Sequence, residues 1–272
     1  GPSPEPDSGQ PILSPSVAGY VQTPGINREM GFEMMDSLHN RVGERQTWVW
    51  DDCGAMFCDT YNRYAKQGKS AYPVWGRVGL GTLDQQGKER LGSESDTALI
   101  QLGADLSVTA DDKMNHTHTG VMLSYGHADN DFYDKYRAEN GVVSDDKRTG
   151  TGKSDMLSLG AYHTWYRHNG TYVDLVGQVS WIHNEYKSRE GVGAGQDGYG
   201  LGTSVEVGRP WQIGESAWLI EPFAQLSYQY VGLDSFTADD GRKVSGQDGG
   251  ALRGRLGARL AWNKGNADLH TN

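Results

Sequence analysis

His116 and His118 stand two residues apart, so an extended backbone puts both imidazoles on one face, where they could hold a weak metal ion. Beside the turn Asp111-Asp112-Lys113, the expectation is instead a pair of solvated turn residues. Asp129, Asp131, Asp134, Asp145 and Asp146 share one polar stretch in which calcium binding is conceivable, but a self-repelling solvated loop is expected. Cys53 and Cys58 could close a small loop in an oxidising compartment. No second ligand pair follows them, so the spacing does not match zinc, and a structural disulfide is expected. Serine, histidine and aspartate all occur, yet without a G-x-S-x-G elbow a hydrolase triad has no support. The glycine-rich run GAGQDGYGLG has no helix after it to cradle a phosphate and reads as a loop entering a strand. No cofactor, metal or catalytic residue is therefore expected, and enzyme chemistry is not favoured.

Composition narrows the class further. A formal charge of −10 over 272 residues argues against nucleic-acid binding, because a phosphate backbone needs cations to neutralise it. A mean hydropathy of −0.65, and the lack of an 18-residue apolar run, leave no transmembrane helix. Neither excludes a membrane β-barrel, whose strands alternate and average out as hydrophilic.

From Pro73 onward the texture has period two. In Tyr172 to Trp181, Val173, Leu175, Val179 and Trp181 oppose Asp174, Gln178 and Ser180. Ile100 to Val108 alternates against Gln101, Asp105 and Ser107. Trp218 to Tyr228 alternates against Glu221, Gln225 and Ser227, and Leu252 to Trp262 against Arg253, Arg255 and Arg259. With similar stretches near 73–83, 115–128, 155–166 and 199–209, about eight strands of about 10–14 residues are predicted. Short turns at 111–113, 167–170 and 210–215 alternate with longer polar loops at about 84–96, 130–153, 186–198 and 232–248. Trp75, Tyr125, Trp165, Tyr166, Trp181, Trp218, Tyr228, Tyr230 and Trp262 cluster at strand ends, as interfacial girdles would. The predicted fold is an all-β membrane protein, an antiparallel outer-membrane β-barrel.

The N-terminal part differs. Prolines 2, 4, 6, 11, 15 and 24 mark residues 1–24 as a linker. Gly1-Pro2 reads as the remnant of a cut affinity tag on a piece of something longer. In Ile26 to Arg45 the apolar residues Met30, Met34, Met35, Leu38 and Val42 fall on one helical face, with Asn27 as cap and Gly43 as stop.

The proline-rich linker, a helix ending in SLHNRVGER, a polar segment and then VWGRVGLG opening the strands resemble the translocator domain of bacterial autotransporters. So do Trp75-Gly76-Arg77, the segments YVDLVGQVSWIHNEY and AWLIEPFAQLSYQYV with Glu221-Pro222, and LRGRLGARLAW. The resemblance implies type V secretion: a twelve-stranded barrel in the outer membrane, its pore plugged by the N-terminal helix, exporting an N-terminal passenger. It divides the chain into a linker (1–24), a pore helix (25–46), a connecting segment carrying the disulfide (47–72) and barrel strands one to eight (73–272). Four further strands would complete the family form, so the chain reads as a C-terminally truncated barrel. Its open edge strands then call for the barrel-assembly machinery or supplied strands.

Met30, Met34, Leu38 and Arg41 would face the lumen from the helix. Arg77, Asp105, Asp174, Glu206, Glu221, Arg253, Arg255 and Arg259 would face it from the wall, with Arg28, Glu29, Asp36, Asn40 and Arg41 as their partners. Implied partners are outer-membrane lipid, the barrel-assembly machinery, periplasmic chaperones and the covalently attached passenger. Some family members cut their own linker with barrel acids and an asparagine. Asn27 or Asn40 beside Asp105, Glu206 or Glu221 would be needed for that, and the expected role of these acids is lumen polarity. An autoproteolytic barrel and a surface adhesin acting through its loops are the alternatives.

Overall fold

The computed structural model describes residues 13–42, 74–86, 90–139 and 142–262. Two helices come first: α1, Ser16–Met35, and α2, Leu38–Val42. Eight long strands follow: β1 (Val74–Gln86), β2 (Leu91–Ala110), β3 (His116–Asp134), β4 (Arg148–Tyr166), β5 (Tyr172–Ser188), β6 (Gly193–Gly208), β7 (Trp218–Leu233) and β8 (Gln247–Trp262). Each pairs antiparallel with the next, giving one continuous meander from β1 to β8. β1 and β8 are not hydrogen-bonded to each other, so the sheet is a half-barrel rather than a closed ring. Helix α1 lies in its concavity against all eight strands.

The alternation is inverted relative to a water-soluble sheet. On β5 the polar residues Asp174, Ser180 and Asn184 are 0%, 2% and 0% exposed, whereas Val179 and Trp181 are 41% and 56% exposed. Ile100, Leu123, Leu159, Leu201 and Leu226 extend this outward apolar band around the wall. Aromatics border it on both sides: Trp165, Trp218 and Trp262 near the tight turns, and Tyr125, Trp181, Tyr199 and Tyr228 toward the longer loops. A polar concave face and an apolar convex face with two girdles suit a wall standing in hydrocarbon.

Several expectations need correction. The strands run 13 to 20 residues, all but β1 longer than predicted, because they continue beyond the apolar band. Two of the expected long loops therefore shrink to short reversals, between Gln86 and Leu91 and between Ser188 and Gly193. The other two, at 135–147 and 234–246, stay long, and each carries a two-residue ribbon: Ala138–Glu139 with Val142–Val143, and Phe236–Thr237 with Lys243–Val244.

The helix begins at Ser16, inside the expected linker, and holds Pro24 in its interior. Proline there removes one backbone bond, normally costing about 3 kcal/mol. Burial within the sheet offsets that cost, with Ala18, Ile26 and Met34 at most 1% exposed. Asn27 consequently sits mid-helix and caps nothing. Trp75 and Tyr166, expected in the girdles, are 6% exposed and face inward. Gly43, Cys53 and Cys58 lie outside the described residues.

Candidate functional site: the helix in the lumen

The long-loop end of the lumen is packed with rings and aliphatics. Tyr20 of α1 meets Tyr186 edge-on at 5.0 Å and Phe236 of the last long loop at 5.1 Å, while Tyr186 and Phe236 stack at 5.8 Å. Below them Ile26, Met30 and Met34 join Leu99, Phe132, Met156 and Ile182 in one buried cluster. Polar helix residues in this stretch find polar wall residues: the amides of Asn27 and Asn184 exchange bonds of 3.1 and 2.9 Å.

Near the end of α1 the interactions change. An isolated helix leaves its last four carbonyls without partners. Here the Asp36 N–H donates to Phe32 O at 2.8 Å, Arg77 Nη2 to Glu33 O at 2.9 Å, Gln101 Nε2 to Met34 O at 2.7 Å, and Arg41 Nη1 to Met35 O at 3.4 Å. Gln178 also donates to Gly31 O at 2.9 Å, and Gln225 to Asp36 O at 2.5 Å. Gly31 also lies tight against the wall: a Cβ there would lie 2.4 Å from Gln229 Cδ, and that side chain would have to shift.

At Asp36 the chain turns, with φ 40° and ψ −159°, a costly conformation for a residue with a side chain. Its carboxylate accepts from its neighbour Ser37 N–H at 2.7 Å, Asn40 Nδ2 at 3.0 Å, Arg77 Nη1 at 2.9 Å and Arg255 Nη1 at 3.0 Å. Ser37 Oγ then accepts from Asn40 N–H at 3.2 Å at the start of α2.

Helix α2 reaches the tight-turn end, where charge predominates. Arg41 and Asp174 form an ion pair at 2.8 Å with both side chains 0% exposed, and Thr164 Oγ1 adds a bond of 2.7 Å to the same carboxylate. His39 Nε2 donates to Glu221 at 2.6 Å while its Nδ1 accepts from Arg259 at 2.8 Å. Glu206 accepts from Leu38 N–H at 3.2 Å and from Tyr172 OH at 2.5 Å. Arg253 meets Glu29 at 3.5 Å. Met30, Met34, Leu38 and Arg41 are all buried.

The described bonds of Asp105 go to the wall. It sits at a β-bulge, accepts from Tyr162 OH, and pairs with His118 at 2.9 Å. His118 is bonded in turn to His116 at 2.8 Å, and Trp75 Nε1 donates to Tyr162 OH at 3.1 Å. The two histidines are therefore lumen residues rather than solvated turn residues, with His116 6% exposed and stacked on Tyr166. Trp75 packs against Gly103, where a Cβ would come within 2.2 Å of the ring.

Three of the aspartates read as a possible calcium loop have separate arginine contacts, and Asp129 meets His127 at 3.1 Å. Asp134 binds Arg90 through both oxygens at 2.8 Å, Asp131 meets Arg148 at 3.3 Å, and Asp146 meets Arg189 at 2.7 Å. Asn27 is engaged with an amide, and Asn40 with the linker's own Asp36.

The autotransporter β-domain family model matches residues 74–272. The chain is 28% identical to the protein YuaQ of Escherichia coli, with 91% of this chain and 17% of that protein covered. It is 27% identical to the pertactin autotransporter of Bordetella bronchiseptica, with 95% of this chain and 25% of that protein covered. The chain thus spans well under half the length of these two relatives. Among solved structures, the transport unit of the autotransporter AIDA-I from Escherichia coli superposes with a TM-score of 0.64 at 16% identity, covering 92% of this chain and 73% of that one. A half-barrel with an apolar outer band, a polar lumen filled by a helix, and a family match over the whole strand region have one conclusion: the chain belongs to the autotransporter β-domain family of the outer membrane.

Proposed function

We propose that this chain is the translocator of an autotransporter, standing in the outer membrane and exporting an N-terminal passenger to the cell surface. The direction of α1 carries this reading. Its N-terminal turns, at Tyr20, lie against Tyr186 and Phe236 at the long-loop end, and α2 reaches Asp174 and Glu221 at the tight-turn end. Outer-membrane barrels place tight turns in the periplasm and longer loops outside. A passenger joined ahead of Ser14 therefore leaves the pore at the outer side.

Met30, Met34, Leu38 and Arg41 serve as the helix's contacts with the lumen. Arg77, Asp174, Glu206, Glu221, Arg253, Arg255 and Arg259 hold it from the wall, and Asp105 braces the wall itself. The outward band, with Val78, Leu80 and Leu256 at 73%, 83% and 88% exposed, belongs in lipid. Before insertion such a surface aggregates in water. Periplasmic chaperones and the barrel-assembly machinery are accordingly the partners that deliver and insert this domain.

The test is an epitope placed ahead of Ser14 in the whole protein, followed by protease added to intact cells. Removal of the epitope from intact cells is the expected result. An epitope cut only after the outer membrane is opened would overturn the reading.

A further inference from the structure

From Gly31 to Asp36 the wall addresses the linker mainly through its backbone. Gln178, Gln101 and Gln225, from β5, β2 and β7, donate to the carbonyls of Gly31, Met34 and Asp36, and Arg77 of β1 donates to that of Glu33. The glutamines are 5%, 0% and 6% exposed, so water does not compete for these amides. A carbonyl is common to every residue type, and its position is set by where the helix stops and at what depth. Within this stretch the Asp36 side chain is held by two ion pairs. The Asp36 carboxylate takes one arginine from β1 and another from β8, strands that are not hydrogen-bonded to each other.

We propose that this part of the lumen is a binding site for the end of a helix, selective for its main-chain geometry and one carboxylate, with Asp36 as the positioning residue that fixes the depth of the linker in the pore. The proposal rests on α1 being the in-pore linker of the translocator. Its ligand class is a helical segment that ends on an acidic residue with a positive φ. Asp36 ties the helix to both edges of the half-barrel, so its loss lets the linker slide while the wall stays assembled.

Depth can be read by cross-linking. In the whole protein, with Cys53 and Cys58 replaced by serine, Asn27→Cys and Asn184→Cys are joined in the outer membrane by a short bis-methanethiosulfonate reagent. Heat-modifiable gel migration reports the folded barrel, and the epitope assay reports export. Asp36→Ala is expected to lower the cross-link yield about tenfold in folded protein, and Asp36→Glu to restore most of it. Asp36→Asn, which lacks the charge, restores little. Gln101→Leu, Gln178→Leu and Gln225→Leu combined are expected to match Asp36→Ala, whereas Arg189→Gln, outside the lumen, leaves the yield unchanged.

Parental yields in both Asp36→Ala and the triple glutamine variant, with export intact, would overturn the proposal alone. So would an Arg189→Gln variant as damaging as Asp36→Ala. If Asp36→Ala leaves no folded barrel, the glutamine variant decides, and a parental yield there refutes the proposal. A parental protein that neither cross-links nor exposes its epitope would bring down the translocator reading itself.

Discussion

The two ends of the lumen hold one helix by different physics. Toward the long loops, Tyr20, Ile26, Met30 and Met34 are buried among Phe132, Met156, Ile182 and Tyr186, and the contact is shape and area. Toward the tight turns, Asp36, His39 and Arg41 are held by Arg77, Arg255, Glu221, Arg259 and Asp174, and the contact is charge and direction. Apolar packing tolerates exchange of similar volumes and resists salt. Ion pairs fix register, because a helix slid by one turn leaves buried charges unmatched. The outer half therefore gives the plug its bulk stability, and the inner half gives it a unique position.

The largest effect should come from the inner end. Arg41→Ala strands the Asp174 carboxylate, fully buried with the Thr164 hydroxyl as its remaining described donor, and should cost about 3–5 kcal/mol. The urea midpoint of the detergent-solubilised protein measures this. Replacing both partners, Arg41→Met with Asp174→Leu, should recover most of the loss. A double variant as unstable as the single one would mean that the pair supplies net stability rather than register. At the outer end Met34→Ala opens a cavity beside Leu99 and Met156 and should cost about 2–5 kcal/mol. That loss should be the same in low and high salt, because no charge is involved. A Met34→Ala penalty that shrinks with salt would break the division between the two ends.

The strands were legible because membrane walls exaggerate parity. On β5, Asp174, Gln178 and Ser180 share one face, and that face is buried. Parity also held a signal that was not used: Trp75 is two residues from Arg77, so an inward Arg77 already turns Trp75 inward. His116 and His118 likewise share the face of Ser124. Gln101, Gln178 and Gln225 were visible as the polar side of their strands. Their task was not, because a neutral amide donating to a backbone carbonyl leaves no complementary residue in the sequence. The start of α1 was hidden for another reason. Pro24 counts against a helix locally, and its cost is offset only by burial that no local pattern reveals.

Smaller effects should mark where the lumen opens to water. Arg253 and Glu29 are each 39% exposed and 3.5 Å apart, so Arg253→Ala should cost less than about 1 kcal/mol and nothing measurable in high salt. A larger, salt-resistant loss would move Arg253 into the class of Arg41, and would point to its guanidinium 5.6 Å over the Phe32 ring as the stronger contact.

The smallest effect is expected outside the wall, in the loop between β3 and β4. Asp146 accepts from the Arg148 N–H at 3.1 Å and from Arg189 Nη1 at 2.7 Å, and these two bonds hold its carboxyl below the ordinary aspartate value. A carboxyl depressed in the folded state contributes stability that is complete above its unfolded value and disappears as pH falls through the folded one. The loop should therefore stay docked on Arg189 at neutral pH and loosen only in acid below the ordinary aspartate range. Arg189→Gln should move the Asp146 midpoint back up toward 3.8, as followed by carboxyl NMR titration, and leave the urea midpoint of the barrel unchanged. An unmoved Asp146 midpoint would show that the Arg148 backbone bond alone holds the carboxyl. A shifted barrel midpoint would show that this exposed pair reaches into the wall, and that the contrast between a position-setting interior and a dispensable rim is drawn in the wrong place.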